Sequence, residues 1–210
     1  GKFYKKLIST ILQFQDVNLI LAGEEMLVEV RAIHELPQHK LKKIIIPNND
    51  IWIRDYGPFF VEQRVSMSMS FPRKRESREL PMGSKSGFPV KPGMTGQVSP
   101  LILDFGFNAW GGKFPPWNLD NNVPKQIALY KGCEIESYPI ILEGGAIDFN
   151  GDGLTITTEE CVLNKNRNKN ISKDQFEKII KSAFNIEEII WLKNGLEGDH
   201  TDGHIDNIAR

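Results

Sequence analysis

Residues 172–192 read SKDQFEKIIKSAFNIEEIIWL, and this stretch decides the fold class. In Lys173–Phe184 the apolar residues recur three and four positions apart, and Ser172 is a favourable helix cap, so an amphipathic helix is predicted. Glu188–Leu192 is short, apolar and β-branched, which is typical of a buried strand. A helix that leads directly into a strand indicates an α/β protein.

Comparable units precede this stretch along the chain. Ala146–Phe149 and Leu154–Thr157 flank the turn Gly151-Asp152-Gly153 and predict a hairpin. The other predicted elements are a helix containing Phe3, Leu7, Ile8, Ile11 and Leu12, a strand Val17–Leu21, a helix Glu24–Leu36, a strand Lys43–Ile46, a helix Lys125–Tyr130, and extended segments Glu134–Tyr138 and Ile140–Leu142. Because strands and helices alternate and end in polar loops, we predict a repeated α/β module.

One segment, residues 66–97, differs from the rest in composition. It is rich in Ser, Met, Pro, Gly, Arg and Lys and has neither a helical nor a strand period, which predicts a disordered insertion within a single domain spanning residues 1–210. Without it, Phe59–Arg64 would pair with Leu101–Phe105 as a hairpin. Lengthening a loop from about 4 to about 36 residues costs only roughly 2 kcal/mol of closure entropy. We favour a tolerated insertion over a basic segment that binds nucleic acid.

The overall composition is that of a globular protein. The chain has 210 residues, a formal net charge of -1 and 40% hydrophobic residues. This charge gives no reason to expect a nucleic acid or an anionic membrane as partner, and no apolar run reaches the roughly 18 residues that span a bilayer. Two cysteines, Cys133 and Cys161, exclude a disulfide scaffold and fit a reducing compartment, so we expect a cytoplasmic location.

The motif Trp52-Ile53-Arg54-Asp55 follows a predicted strand, a common position for site residues. A carboxylate such as Asp55 can accept two parallel hydrogen bonds from a guanidinium, and the face of Trp52 could add cation–π attraction. Alternatively, Asp55 is a surface residue that pairs with Arg54 in a turn. The tetrapeptide by itself leaves both interpretations open.

The segment Gly198–Asn207 is unusually dense in acids and histidines. In one interpretation it is extended, so that His200, Asp202 and His204 alternate along it and bind a metal. In a second, His204 is a general acid/base and Asp206 anchors a substrate, because residues two apart in a strand share a face. The third is a polar loop with capping residues.

Two other stretches combine acidic residues with glycines. Residues 148–159 have the spacing of a calcium-binding EF-hand loop. The two flanking helices that such a loop needs are not predicted, so we prefer a hairpin turn. Glu143-Gly144-Gly145 follows a predicted strand, where its carboxylate could support a histidine, approach a substrate or simply belong to a turn.

Taken together, the motifs are far more specific than any one of them. In chain order they are Asn49–Pro58, Phe105–Lys113, Leu142–Gly145, Thr157–Cys161, Asn164–Asn168 and Thr201–Asp206. With these motifs the chain resembles the agmatine deiminase family, also labelled the bacterial peptidylarginine deiminase family. The resemblance implies a pentein fold, an α/β propeller of five ββαβ units around a central channel. Complete members are considerably longer, so it also implies a partial pentein of about three units, truncated at both ends.

The resemblance assigns roles to individual residues. It implies that Asp55 and Asp206 hold the guanidinium of a small-molecule substrate, that His204 is the general acid/base, and that Trp52 forms an aromatic wall. We therefore count Asp55, His204 and Asp206 as catalytic residues, and we add Glu143 to the residues that bind substrate. No metal or organic cofactor is implied, which removes the metal-binding interpretation above.

The implied reaction is hydrolysis of a guanidinium C–N bond, which converts agmatine to N-carbamoylputrescine and ammonia in putrescine biosynthesis. The cysteine nucleophile of the family falls past the last residue of this chain, and Cys161 matches a position that is not the nucleophile. We therefore expect no activity from this chain alone, and expect it to self-associate or to join a C-terminal chain that carries the cysteine. The alternatives are peptidylarginine deiminase activity, a non-catalytic guanidinium-binding fragment and a metal-dependent hydrolase.

Overall fold

The computed structural model describes residues 2–26, 40–62 and 100–209. In these ranges the strands form three small sheets with two, three and three strands. The predicted insertion at residues 66–97 and most of the predicted helix Glu24–Leu36 lie outside the described residues. No helix in the three ranges is long and apolar enough to cross a membrane.

The first sheet has two parallel strands beside an amphipathic helix. Its elements are α1 (Lys2–Ile11), β1 (Val17–Leu21) and β2 (Leu41–Ile45). Buried Ile8 and Leu12 pack against Leu21 and Leu41, which joins the helix to both strands. The predicted helix and the strand Val17–Leu21 are therefore confirmed, whereas the second strand begins two residues earlier than predicted.

The second sheet has a ββαβ order. Its unit contains α2 (Ile53–Tyr56), β3 (Phe59–Glu62), β4 (Pro100–Gly106), α3 (Ala109–Gly112), α4 (Val123–Lys131) and β5 (Ile135–Ile141). Strand β3 pairs antiparallel with β4, and β5 pairs parallel with β4 after the α4 crossover. The predicted pairing across residues 63–99 is thus present, with Glu62 opposite Pro100.

Strand β5 joins two segments that the sequence predicted separately. The predicted break falls at Pro139, which has no backbone N–H to donate to the ladder. The chain passes through this position as one strand, but its register with β4 shifts there. Phe105 is opposite Tyr138, whereas the next residue, Gly106, is opposite Ile141.

The third sheet repeats the ββαβ order. Its unit contains β6 (Ile147–Phe149), β7 (Leu154–Thr158), α5 (Glu159–Val162), α6 (Lys165–Asn168), α7 (Lys173–Phe184) and β8 (Glu188–Leu192). Strands β6 and β7 form the predicted antiparallel hairpin, so the preference for a turn over an EF-hand at residues 148–159 is confirmed. Strand β8 returns parallel to β7.

Helix α7 begins and packs as its sequence predicts. Ser172 and Gln175 form a reciprocal capping box, which satisfies two backbone N–H groups at the helix N-terminus. Along the same helix, Phe176 and Ile180 have no exposed surface and pack in the same core as Leu103 and Ile147. This core lies under the second and third sheets and holds the loops between them in place.

Candidate active site

Asp55 lies in α2, just after the loop that leaves the first sheet. The backbone N–H groups of Asn49 and Asp50 in that loop donate to Asp120 Oδ1, at 2.5 and 3.1 Å. In α2, Asp55 Oδ2 accepts a hydrogen bond from Trp110 Nε1 at 3.0 Å, and Oδ1 accepts one from Gly145 N at 2.9 Å. Asp55 is therefore a buried carboxylate with two fixed donors, not a surface residue.

The surroundings of Asp55 act on its charge in opposite directions. Burial raises the pKa of the Asp55 carboxyl above its ordinary value, because it disfavours the ionised form. The neighbouring His204 and the hydrogen bonds from Trp110 and Gly145 lower it, though by less than burial raises it. A cation that entered next to Asp55 would favour the ionised form.

The segment before His204 is a compact turn, as in the interpretation of a polar loop with capping residues, and it is not the extended segment of the other interpretations. Asp202 and Gly203 have left-handed φ values of 61° and 87°. The Asp199 carboxylate accepts hydrogen bonds from the backbone N–H groups of Thr201, Gly203 and His204, which closes the loop. Although burial alone would raise it, hydrogen bonds from the Thr201 hydroxyl, from the backbone N–H groups of Thr201 and His204 and from the Asn207 side chain lower the pKa of Asp199. A short acidic side chain that bonds its own backbone favours turns over strands.

His204 is buried, with 2% of its surface exposed, and its two ring nitrogens face different groups. Nε2 lies 3.0 Å from Glu143 Oε2. Nδ1 lies 3.8 Å from Asp55 Oδ1 and 3.9 Å from Asp206 Oδ1. One edge of the imidazole is therefore held by Glu143, and the other edge faces two carboxylates.

Glu143 is fully buried and is balanced by an equally buried cation. Arg167 Nε donates to both carboxylate oxygens of Glu143, at 3.0 and 2.8 Å. The Arg167 side chain is 1% exposed, and its other nitrogens donate to Asp202 Oδ2 at 2.7 Å and to the Thr201 carbonyl at 2.7 Å. Arg167 thus ties Glu143 to the loop that carries His204.

Asp206 completes the group of acids and is already bonded to a cation. Its Oδ2 accepts a hydrogen bond from Arg54 Nε at 2.8 Å. Its backbone N–H donates to the Gly145 carbonyl at 3.2 Å, which fixes Asp206 against the same turn that contacts Asp55. Asp206 lies at the start of a short 3-10 turn, Ile205–Asn207, whose first residue is fully buried.

The three catalytic candidates converge on Gly145. A Cβ atom at this glycine would lie 2.5 Å from His204 Nδ1, 2.8 Å from Asp55 Oδ1 and 2.9 Å from Asp206 Oδ2. A side chain here would collide with all three groups, so the glycine leaves open the space that they share. The structure therefore brings together the residues that the sequence placed in one site.

The other residues that the sequence singled out are not among the three groups nearest to Gly145. Trp52 is 58% exposed, and its role as an aromatic wall stays a prediction. Glu143 faces His204 and Arg167, so its contact with a substrate also stays a prediction. Asp202 bonds Lys113, Asn166 and Arg167.

One group of described residues has the spacing of metal ligands, and it is not the predicted one. Within the described ranges, Glu143, Cys161 and His204 offer atoms that lie within 4.8 Å of one another, whereas His200 and Asp202 do not join such a group. Arg167 occupies both oxygens of Glu143, and burial beside Glu143 raises the pKa of the Cys161 thiol well above its usual range. This donor set suits the buried ion pair between Glu143 and Arg167 better than a metal ion.

Comparison with known proteins decides the family. The model of the Porphyromonas-type peptidyl-arginine deiminase family matches residues 1–210. The chain belongs to this family. Agmatine deiminase from Pseudomonas putida is 31% identical over 208 residues, which cover 97% of this chain and 47% of the relative. Agmatine deiminase from Medicago truncatula is 33% identical and covers 98% of this chain and 49% of the relative.

Solved structures of the family have the same fold. An agmatine deiminase of Enterococcus faecalis has a TM-score of 0.76 at 25% identity and covers 99% of this chain and 48% of its own. An agmatine deiminase of C. jejuni with substrate bound has a TM-score of 0.71 at 31% identity, covering 98% and 50%. The chain thus has a partial pentein fold and spans about half the length of the relatives that it matches.

Sequence reasoning missed several residues that position the candidate site. Arg167 and Trp110 each donate to a buried site carboxylate, and Asp199 shapes the loop before His204. Arg167 and Trp110 lie in stretches whose signal was the density of Asn and Gly, at residues 164–168 and 106–112. That signal indicates a structured polar loop, but it does not say which side chain points inward.

Proposed function

We propose that this chain supplies the guanidinium-binding part of an agmatine-type deiminase, which hydrolyses a guanidinium C–N bond. The observation that carries the proposal is the position of His204 Nδ1, 3.8 and 3.9 Å from one oxygen each of Asp55 and Asp206. Two carboxylates can hold a planar cation between them, and a histidine at the edge of that cation can supply it with protons.

In this proposal Asp55 and Asp206 each accept hydrogen bonds from the guanidinium nitrogens. Charge-assisted hydrogen bonds of this kind are worth about 1.5–3 kcal/mol each, so together they would orient as well as bind the substrate. A cysteine thiolate attacks the central carbon, and His204 donates a proton to the nitrogen that leaves as ammonia. Water then releases the ureido product from the sulfur, which regenerates the thiolate.

The nucleophile is proposed to be a cysteine outside these 210 residues. The chain has two cysteines, and neither faces the Nδ1 edge of His204. Cys161 Sγ lies 3.8 Å from Glu143 Oε2, on the Nε2 edge, and is fully buried. Cys133 packs against a separate core cluster near Ile44 and Trp110. Both thiols are free, which supports the cytoplasmic location that we also propose.

Calorimetric titration with agmatine tests the binding site. We expect the 210-residue chain to bind agmatine, and we expect Asp55→Asn and Asp206→Asn to weaken binding by at least about tenfold, because each removes one charged acceptor. Glu197→Gln, which removes an exposed carboxylate, should bind like the wild type. Equal binding by all four proteins would contradict the proposal.

Two further measurements address the reaction and the substrate. The chain alone should form no N-carbamoylputrescine from agmatine above background, because neither cysteine is placed to attack. Robust turnover would instead assign the nucleophile to Cys133 or Cys161. Titration with acetyl-arginine amide in place of agmatine separates the two substrate classes, and we expect agmatine to bind more tightly.

A further inference from the structure

The chain's own guanidinium already occupies one of the two proposed substrate carboxylates. Arg54 Nε donates to Asp206 Oδ2 at 2.8 Å. The Arg54 side chain is 43% exposed and that of Asp206 is 15% exposed, so Arg54 reaches from the surface to a carboxylate that is largely covered. Its guanidinium is the same chemical group that the proposed substrate would present.

The oxygen that Arg54 contacts is the one that faces the shared space. Asp206 Oδ2 lies 2.9 Å from the Cβ position of Gly145, the point that is also 2.8 Å from Asp55 Oδ1. A substrate guanidinium that bridged Asp55 and Asp206 would need this oxygen. Arg54 and such a substrate therefore could not both bond it in the same geometry.

The backbone of Arg54 is fixed, whereas its side chain can leave. The Arg54 carbonyl would lie 2.0 Å from a Cβ at Gly144, so the two backbones touch, and Asp55 next to it is held by Trp110 and Gly145. The exposed side chain has a path to solvent that requires no backbone movement. Because one partner of this pair is largely exposed, the pair is weaker than a fully buried one, and an incoming guanidinium that makes the same charge-assisted hydrogen bond can replace it.

We propose that Arg54 is an internal competitor for Asp206 that must be displaced when the substrate guanidinium binds. This inference rests on the proposed function, because it assigns the regulation of the same site. Before substrate binds, Arg54 offsets the negative charge of Asp206 across from Asp55, where two facing carboxylates would otherwise repel each other. On substrate binding the incoming cation takes over this role, and Arg54 moves into solvent.

A double-mutant cycle in agmatine calorimetry tests the competition. Arg54→Met should bind agmatine about threefold to fivefold more tightly than the wild type, the size expected for a partly exposed ion pair. In the Asp206→Asn background the same substitution should change affinity by less than about twofold. Lys178→Met, which removes an exposed cation from α7, should bind like the wild type.

The outcomes separate the competition from the proposed function. Weaker or equal agmatine binding by Arg54→Met would overturn the competition while the binding site stands. A gain in affinity that persists in the Asp206→Asn background would also overturn it. The gain would then come from removing a positive charge near the site, and not from freeing the Asp206 carboxylate for agmatine. Binding by none of the proteins would overturn the proposed function itself.

A second measurement does not depend on how weakly Asp206→Asn binds. The Arg54 Nε–H resonance, identified in ¹⁵N spectra by its loss in Arg54→Met, should exchange slowly with water in the free wild-type chain. Saturating agmatine should make it exchange at the rate of a free arginine, and Asp206→Asn should do so without ligand. A resonance that stays protected in the agmatine complex would overturn the proposal.

Discussion

Glu143 Oε2 lies 3.0 Å from His204 Nε2, although the two residues are 61 positions apart, and both side chains are buried. The contact determines which edge of the imidazole can face a ligand. Because Nε2 is bonded to Glu143, Nδ1 is the nitrogen directed toward Asp55 and Asp206. A carboxylate on one ring nitrogen fixes the orientation of the histidine, as in catalytic sites where a third group orients the base.

The buried pair of Glu143 and Arg167 should be strongly coupled. Glu143→Gln and Arg167→Met are each expected to lower the free energy of unfolding by about 3–5 kcal/mol. Arg167→Met leaves the buried Glu143 without its cation, and Glu143→Gln removes one of the two carboxylates that neutralise the buried Arg167. The double variant should lose clearly less than the two single losses combined. Urea unfolding of the four proteins measures this coupling.

The exposed pair of Lys173 and Glu159 is the control for that cycle. Its side chains are both 38% exposed, so its coupling free energy should stay below about 1 kcal/mol. Additive losses at Glu143 and Arg167 would show that the bifurcated contact between them does not couple the two residues energetically.

Gly145→Ala should abolish agmatine binding, although the folded protein should lose only a small part of its stability. The added Cβ would meet His204 Nδ1 at 2.5 Å and would fill the space between the two aspartates. We expect a stability loss of about 1–3 kcal/mol, as for other overpacked sites. Calorimetry and thermal unfolding measure the two effects on the same protein.

Gly106→Ala in β4 controls for the loss of a glycine. Its Cβ would approach only the Ile140 carbonyl and the Ile141 side chain, at 3.3 and 3.4 Å. This variant should retain agmatine binding. If Gly145→Ala binds agmatine like the wild type, the space beside this glycine is not the ligand site.

Asp202 should contribute stability that is lost in acid. Although burial alone would raise it, hydrogen bonds from Lys113, Asn166 and Arg167 lower the pKa of Asp202 from its ordinary 3.8 to about 2. The folded state therefore holds the proton less tightly than the unfolded state. The stabilisation is complete above the unfolded pKa and disappears as the pH falls through about 2.

Asp202→Asn removes this contribution while keeping the left-handed backbone that Asn tolerates. Its free energy of unfolding should depend less steeply on pH than that of the wild type between about pH 2 and pH 4. Urea unfolding across this range measures both slopes. Parallel curves would mean that Asp202 titrates alike in the folded and unfolded chains.

Cys161 should be unreactive in the folded chain. It has no exposed surface, and burial followed by the nearby Glu143 raises the pKa of its thiol, which reduces the thiolate available for alkylation. With iodoacetamide, mass spectrometry should find the half-buried Cys133 modified first and Cys161 modified only after unfolding. Equal alkylation rates at both cysteines in the folded chain would contradict this prediction and would make Cys161 a candidate nucleophile.

Most of the strands and helices followed from local patterns in the sequence. Lys173–Phe184 and Glu188–Leu192 have the predicted bounds because apolar spacing and the Ser172 cap act within a few residues. For the segment Gly198–Asn207 the sequence left an extended segment and a polar loop as alternatives, and the structure has a loop at residues 199–204. Its alternating His and Asp residues resemble a strand pattern, but Asp199 bonds the backbone of its own loop. A local side-chain contact overrode the apparent period.

The sequence by itself determined the repeated α/β module and the ordered motifs whose resemblance to the family indicates that Asp55, His204 and Asp206 share one site. Only the tertiary structure showed that Arg167 balances Glu143 and that Arg54, 152 residues away in sequence, bonds Asp206. The physical reason is the range of the interactions. Periodicity, caps and turns act between neighbours in the chain, whereas these ion pairs depend on how the sheets and their loops pack together.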